Sequence, residues 1–414
     1  MTEILILMLL LSVTTLLARG QILEIFTPSL AGPILIISGY FVSPHVSGMF
    51  LPSTISAISP ALRVGLVWLS FLIGLHYARA AEGPPMKANM ILRGGLLAGI
   101  HLLLLVAAAV GMFWGLRAYP HLLPFEGSEE SIFTLALISG GAFASSNLSI
   151  AQHMAQRIKQ QSLKEILFAL SGFTEALSML VMGIGLFVWS PSAAPIKPGA
   201  GSAEIVTRTI GNPLAAIIIG LILALCVRLL IGSQERKSVA ARLALLGLVT
   251  LGTGAALGVR ASEAFVGLSF GMILSFFYRH KDLLDTELRA TEWPVQMAAY
   301  FFVGLFLELK LTTVLFGLSL GALRLLLKGV SLALLNRGGS AKLPLASVSS
   351  FSSVALILVL SLDLNAGAGS EAEIGTRFIL SSFAVAVAAT DLLTVMFFAV
   401  RQQSGKPERV NVRS

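Results

Sequence analysis

The residue in this sequence best placed to do chemistry is a carboxylate far from any other charge along the chain. Glu175 lies in the segment SGFTEALSML, within a run from Ile166 to Trp189 that has no other ionisable side chain. An ionised carboxylate at mid-membrane costs at least about 2.5 to 3.5 kcal/mol on insertion scales, so such residues usually face a bundle interior and are functional. A carboxyl group there could hold either a proton or a cation. The alternative is a neutral, hydrogen-bonded structural Glu175.

The composition indicates that this carboxylate belongs to a membrane protein. Of the 414 residues, 56% are hydrophobic and 12% are charged, and the mean hydropathy is +0.87. Apolar runs of about 17 to 25 residues recur from end to end, each long enough to cross roughly 30 Å of hydrocarbon. A soluble core needs far fewer apolar side chains.

Several classes of protein are disfavoured by what the chain carries. The net charge is +8, but the basic residues fall singly or in small groups between apolar runs, which argues against nucleic-acid binding. The single cysteine, Cys226, supports neither a disulfide framework nor a paired metal site. We find no convincing nucleophile–base set, phosphate-cradling glycine motif or zinc pattern, so we expect no enzyme, no ATP-driven pump, no cofactor and no metal beyond a transported ion.

The apolar runs predict an all-α membrane fold with about thirteen transmembrane helices. The segment SPSAAPIKPGAGS, the longest polar linker, divides it into two halves. The first run could be a signal peptide, but its start, MTE, is acidic and its cleavage signal is poor, so we interpret it as a span. The spans are 3–19, 22–43, 61–78, 88–116, 131–156, 164–190, 213–231, 240–259, 262–278, 293–310, 312–336, 343–362 and 375–400.

Two of these spans are interrupted at mid-depth by small polar residues. They are GGAFASSNLSIAQHM in the fifth span and LASVSSFSSVALIL in the twelfth. Because the two lie seven spans apart, they run in opposite directions, as an inverted-topology repeat of spans four to six and eleven to thirteen requires. Unwound backbone in a membrane is tolerated only where it lines a buried or watered cavity, and there it can coordinate an ion. Alternatively, Ser and Gly merely permit close helix packing.

Further charged residues lie on other spans. Lys328 and Arg324 share the eleventh span, where Lys328 could pair with Glu175 or brace the broken helices, unless both snorkel to an interface. Asp391 lies in the last span, the repeat partner of the Glu175 span, and is either functional or a packing residue. His76, His101 and His153 lie in or near spans, and nothing clusters them like a metal site. The acidic residues near predicted span ends are expected to be solvated: Glu263, Glu308 and Asp363.

The order of several segments resembles the monovalent cation:proton antiporters, the branch that includes the sodium/hydrogen exchangers and the glutathione-gated potassium efflux systems. GLVWLSFLIGLHYA is similar to the family's third-span segment, with His76 where an acid is usual. GGAFASSNLSIAQHM is similar to its crossover segment, and GFTEALSML to the segment of its ion-carrying Asp. VQMAAYFFVGLFLEL and LLLKGVSLALL resemble two later segments, the second of which commonly carries a Lys.

The resemblance implies roles for particular residues. Glu175 takes the place of the ion-carrying Asp, with Thr174 as its neighbour, so the proton and cation site would be Glu175, Thr174, Ser146 and Asn147. Asn147 stands where Thr or Asp is usual. Supporting positions would be Ser145, Gln152, Lys328 and Asp391.

The resemblance also implies a homodimer in lipid that works by alternating access. A moving core near 88–190 and 312–400 would belong to one transmembrane domain, 1–400, followed by a short cytoplasmic tail, 401–414. The sequence thus favours a secondary transporter exchanging H+ for Na+ or K+. Exchange would be electroneutral, because Thr174 leaves Glu175 as a single carboxylate. A channel-like cation pathway and a non-transporting membrane sensor remain alternatives.

Charge placement predicts the orientation of the chain. Loops after odd-numbered spans, with the C-terminal tail, hold 20 Lys and Arg, whereas the N-terminus and the other loops hold 7. By the positive-inside rule the N-terminus lies outside and the C-terminus in the cytoplasm. We expect the membrane to be a prokaryotic inner or plasma membrane. A C-terminal reporter should therefore be cytoplasmic, and a retained N-terminal tag should be accessible from outside. Both ends on one side would contradict the thirteen-span topology.

Overall fold

The computed structural model describes residues 27–80, 88–119, 129–146, 161–188, 211–231, 239–259, 261–277, 281–335, 353–365 and 371–404. Those ranges contain twelve helices and no strand. The helices are α1 (Thr27–Val42), α2 (Pro52–Ala80), α3 (Ala88–Arg117), α4 (Glu129–Ala144), α5 (Gln161–Val188), α6 (Asn212–Ile231), α7 (Val239–Val259), α8 (Glu263–Phe277), α9 (Lys281–Leu305), α10 (Leu311–Leu335), α11 (Ser353–Asn365) and α12 (Glu371–Ser404).

The helices follow the second to thirteenth predicted spans in order, and the first span lies outside the described residues. The tenth span is displaced, because α9 begins at Lys281 and ends at Leu305 rather than covering 293–310. In the part of the chain that the structure describes, five helices contain stretches long and apolar enough to cross a membrane. These are Ser53–Leu75, Leu92–Arg117, Pro213–Leu230, Leu311–Leu334 and Glu373–Leu393.

The helices form two groups that each pack mainly within themselves. The first helix group comprises α3, α4, α5, α10, α11 and α12, and the second comprises α1, α2 and α6 to α9. Within the first group, the packing of α3 on α5 and α4 on α5 is repeated by α10 on α12 and α11 on α12. In the second group, α1 packs on α9 as α2 packs on α8. These matching pairs are the pattern expected of the inverted repeat.

Glycines set the closest crossings of the second group. A Cβ on Gly271 of α8 would collide with the backbone oxygen of Phe71 in α2, and one on Gly304 of α9 would collide with that of Ile36 in α1. Gly74 and Gly39 lie opposite these glycines. Small residues let helix backbones approach in this way where the hydrophobic effect cannot draw them together.

Aromatic rings join the helices of the first group. The rings of Phe113, Phe316 and Phe378 come from α3, α10 and α12, and their centroids lie 5.0 to 6.0 Å apart. Phe143, in the last turn of α4, packs edge-on against Phe383 of α12 with centroids 5.5 Å apart. The contact between Phe143 and Phe383 therefore holds the end of α4 against α12.

The expectation that three acidic residues near span ends are solvated is wrong for two of them. Glu263 is 0% exposed and Asp363 is 4% exposed, while Glu308 is half-buried. Each lies beside an arginine: Glu263 pairs with Arg63, and Asp363 and Glu308 with Arg377. Helix ends in this bundle are covered by neighbouring helices, so position near a span end does not give contact with water.

Candidate functional site

The candidate site is built around the point where α4 stops. The helix ends at Ala144, and Ser145 and Ser146 continue without helical structure although each is only 1% exposed. We call these two residues the break. Ser145 closes the last turn, because its backbone N–H and its hydroxyl both donate to the Ala142 carbonyl, at 3.2 and 2.7 Å. The serine-rich interruption of the fifth span is therefore a buried helix end.

Two glycines just before the break bring neighbouring helices close. A Cβ on Gly140 would meet backbone atoms of Val106 in α3, and one on Gly141 would lie 2.7 Å from the Met182 side chain in α5. Larger residues would push α3 and α5 away from α4. The Gly-Gly pair thus allows α5, which carries Glu175, to lie against the last turn before the break.

Two cations on α10 bind the break. Arg324 and Lys328 are one helical turn apart, so they share a face, and they are 0% and 1% exposed. Arg324 Nη2 donates to the Ser145 carbonyl at 2.9 Å, and Lys328 Nζ donates to the Ser146 hydroxyl at 2.5 Å. Cations are favourable at a helix C-terminus, because its free carbonyls carry partial negative charge.

Glu175 lies on α5 with 3% of its surface exposed, and its charge interacts with that of Lys328. Its neighbour Thr174 is 0% exposed and donates its hydroxyl hydrogen to the Leu170 carbonyl at 2.5 Å. Ser178 donates in the same way to the Thr174 carbonyl at 2.6 Å. The hydroxyl hydrogens of Thr174 and Ser178 are therefore used within the helix.

A second buried carboxylate also interacts with the cations. Asp391 of α12 is 8% exposed, and its charge interacts with that of Arg324. Among the described residues, no hydrogen-bond partner reaches its Oδ1. Two acids, Glu175 and Asp391, thus interact with two bases, Lys328 and Arg324, and the four formal charges sum to zero.

The structure assigns contacts that sequence reasoning missed. Arg324 was assigned no role at the site from the sequence alone. Its spacing of four residues from Lys328 could have shown that both side chains lie on the same face of the helix. His101 of α3 also contributes: its Nε2 lies 2.9 Å from the Leu327 carbonyl and 2.5 Å from the Ser331 hydroxyl, which ties α3 to α10 beside Lys328.

Two predicted site residues, Asn147 and Gln152, lie outside the described residues, as does most of the serine-rich segment of the twelfth span. In the part of the chain that the structure does describe, no group of three or more His, Cys, Asp or Glu side chains could hold a metal ion. The described site therefore consists of the break, the cations of α10 and the two carboxylates.

This arrangement of helices is similar to that of a known transporter. The chain superimposes on the sodium proton antiporter MjNhaP1 from Methanocaldococcus jannaschii, solved at pH 8, with a TM-score of 0.59 and 14% sequence identity. The match covers 97% of this chain and 98% of that one. No protein-family model and no curated protein matches the sequence.

At 14% identity the likeness establishes the fold, and the chain is an integral membrane protein with the architecture of a sodium/proton antiporter. The fold class expected from the sequence is thereby confirmed. The number of thirteen spans stays a prediction, because the first of them precedes the described residues.

We expect Arg324→Gln to lower the stability of the protein strongly. The substitution leaves Asp391 buried without its compensating charge, and breaking one side of such a pair costs roughly 3 to 5 kcal/mol. The measurement is the thermal unfolding midpoint of the purified protein in detergent.

The double variant Arg324→Gln/Asp391→Asn serves as the control, because it removes both charges together. It should be clearly more stable than Arg324→Gln alone. If its cost equals the sum of the two single substitutions, the two charges do not stabilise one another.

Proposed function

We propose that the chain is a secondary transporter that exchanges H+ for a monovalent cation, Na+ or K+, by alternating access. The observation that carries the proposal is Glu175, a carboxylate 3% exposed that lies beside a buried helix break. Support comes from the fold, which is that of a protein described as a sodium proton antiporter. A single buried carboxylate that binds either a proton or a cation, but not both, is the simplest way to couple the two.

The chemistry follows from what surrounds the carboxylate. When Glu175 is ionised it attracts a cation, and when it is protonated the cation has no counter-charge in the interior. The Ser146 hydroxyl and the freed backbone near it supply neutral oxygen ligands of the kind that alkali cations prefer. Thr174, which keeps lone pairs after donating to Leu170, and Asn147 complete the proposed site.

Lys328 has two partners in this scheme. Its ammonium hydrogen-bonds to Ser146 and interacts electrostatically with Glu175. When a cation occupies Glu175, the ammonium can retain the hydroxyl as its partner and keep its own proton. Asp391 stays balanced by Arg324 throughout. One cation then replaces one proton, so we propose electroneutral exchange.

Electroneutral exchange can be tested directly. In sealed proteoliposomes, an imposed membrane potential should leave the steady exchange rate unchanged. A clear dependence on potential without leak would mean that Lys328 or Asp391 releases a second proton. Stoichiometric coupling of cation movement to proton movement would distinguish exchange from a channel-like pathway, which needs no coupling, and from a sensor, which moves no ions.

The mechanical part of the proposal concerns the two helix groups. We propose that residues near 88–190 and 312–400 move as a core past the remaining helices within a homodimer. It is supported by the packing, since helices from those two ranges contact one another more extensively than they contact the second group. The break, the cations of α10 and both carboxylates all lie on helices of the first group, so the site would travel intact.

Substituting Glu175 tests the central claim. Glu175→Gln keeps nearly the same volume but cannot change charge, so the protein should fold while pH-driven Na+ or K+ exchange is lost. Glu175→Asp retracts the carboxylate by one methylene, so proton coupling should persist with an altered apparent cation affinity or ion preference. Exchange is followed with a pH-sensitive dye in proteoliposomes containing equal amounts of protein.

Two further variants make this test specific. Glu292→Gln removes a half-buried carboxylate from α9 in the second group and should leave exchange unchanged. Ser146→Ala removes the hydroxyl shared with Lys328 and should weaken cation affinity. Unaltered exchange in the Glu175→Gln protein would show that the carboxylate is structural and that the proposed mechanism is wrong.

A further inference from the structure

A second set of buried charges lies at the end of the bundle where α2, α8, α10 and α12 begin and where α9 and α11 end. It includes two of the acidic residues that the sequence led us to expect in water, Glu263 and Asp363. Unlike the contacts at the break, several of its contacts connect the first helix group to the second or to the segment leading from it. The proposed transport cycle does not yet assign these residues a role.

Arg63 forms the first connection. From α2 it pairs with Glu263 at the start of α8, and it also donates through Nη2 to the Leu364 carbonyl in the last turn of α11. The guanidinium thus joins two helices of the second group to the C-terminus of a helix in the first. The partial negative charge of that helix end strengthens the contact.

Arg377 forms the second connection. From α12 it donates to Glu308 Oε1 at 3.3 Å and to Glu373 at 2.7 Å, and it lies 3.6 Å from Asp363 Oδ2. Glu308 belongs to the short segment that joins α9, of the second group, to α10, of the first. Its backbone N–H also donates to the Ser381 hydroxyl of α12, at 3.0 Å.

The candidate site lies far from these contacts. Lys328 is 17 residues after the start of α10 at Leu311 and 7 residues before its end at Leu335. At 1.5 Å per residue, these separations are about 25 Å and about 10 Å along the helix axis. The site is therefore nearer to the opposite end of the bundle, and the charged contacts lie on the side from which the path to the site is longer.

We propose that the contacts between the two groups form a latch, which closes this end of the bundle. The latch is defined by Arg63, Glu308, Arg377 and Ser381 with the Leu364 carbonyl, and Glu263 holds Arg63 from within the second group. The latch rests on the proposed function, because it matters to transport only if the two helix groups move. For Glu175 to be reached from this side, α11 and α12 must leave α2 and the end of α9, and each latch contact must break. The charge distribution of the loops predicts that this side is external.

Ion pairs suit a contact that opens and closes. Separated carboxylates and guanidinium groups are stabilised by water, so exposing them costs little net free energy compared with exposing an apolar interface of the same size. Arg63 and Arg377 are positioning residues in this scheme, because they touch neither the proposed ion site nor its ligands. Their role is to set how often that end of the bundle opens.

A reversible disulfide tests the latch. In a Cys226→Ser background, Glu308→Cys and Ser381→Cys are introduced together, at positions that the 3.0 Å hydrogen bond from the Glu308 backbone N–H to Ser381 Oγ brings into contact. Oxidation should stop cation-driven proton exchange in proteoliposomes, and reduction of the same vesicles should restore it. The reduced sample shows whether the protein exchanges ions at all, which separates failure of the latch from failure of the proposed function.

A matched cysteine pair within the first group is the control. Gly321→Cys and Ala386→Cys join α10 to α12, where a Cβ on Gly321 would lie 3.3 Å from that of Ala386. Cross-linking this pair should leave exchange intact, because both helices move together. Full exchange by the fully oxidised Glu308→Cys/Ser381→Cys protein would overturn the latch.

A labelling measurement tests the latch without relying on transport. Ser381 is 0% exposed, so Ser381→Cys in the Cys226→Ser background should react slowly with a membrane-impermeant maleimide added outside. Adding Arg63→Gln should raise the labelling rate by at least about fivefold, because it removes the contact with the Leu364 carbonyl and leaves the buried Glu263 without its cation. Arg228→Gln, at an exposed arginine of α6, should not change it. An unchanged rate with Arg63→Gln would also overturn the latch.

Discussion

A helix that stops inside a protein in a membrane must have its freed backbone groups satisfied, and the rest of this structure depends on that constraint. At the end of α4, the Ser145 carbonyl and the Ser146 hydroxyl are held by Arg324 and Lys328 rather than by water. The long, flexible side chains of arginine and lysine can reach a carbonyl that no neighbouring helix backbone could approach. The break therefore requires α10 to lie alongside it, and the Gly140–Gly141 pair lets α3 and α5 pack closely around it.

Those cations create a second requirement, which is charge balance. Two positive charges with almost no exposed surface cost several kcal/mol each to bury unless acids lie close by. Glu175 and Asp391 supply that balance from α5 and α12. Removing water from the break thus requires carboxylates near it. A carboxylate placed there is available for the proton and cation exchange that we propose.

The sequence predicts much of this arrangement, for reasons that are physical. Hydropathy and the opposed serine-rich segments predict the membrane fold. The isolation of Glu175 in an apolar run predicts that it is buried, and only 3% of its surface is exposed. The burial of Glu263 and Asp363 could not be predicted from the sequence, because nothing in it shows that Arg63 lies beside Glu263 or that Arg377 lies beside Asp363. Likewise, only the packing of α10 against α4 shows that Arg324 reaches Ser145.

The two sets of buried charges differ in which helices they connect, and that difference bears on the mechanism. Every contact at the break, from Ser145 and Ser146 to Arg324 and Lys328, lies within the first helix group. The contacts of Arg63 with Leu364 and of Arg377 with Glu308 instead cross to the second group or to the segment leading from it. A movement of one group past the other would preserve the geometry of the site and break only the second set. Interactions that hold the ligands would then be energetically separate from interactions that hold the conformation, so each could be strong or weak without changing the other.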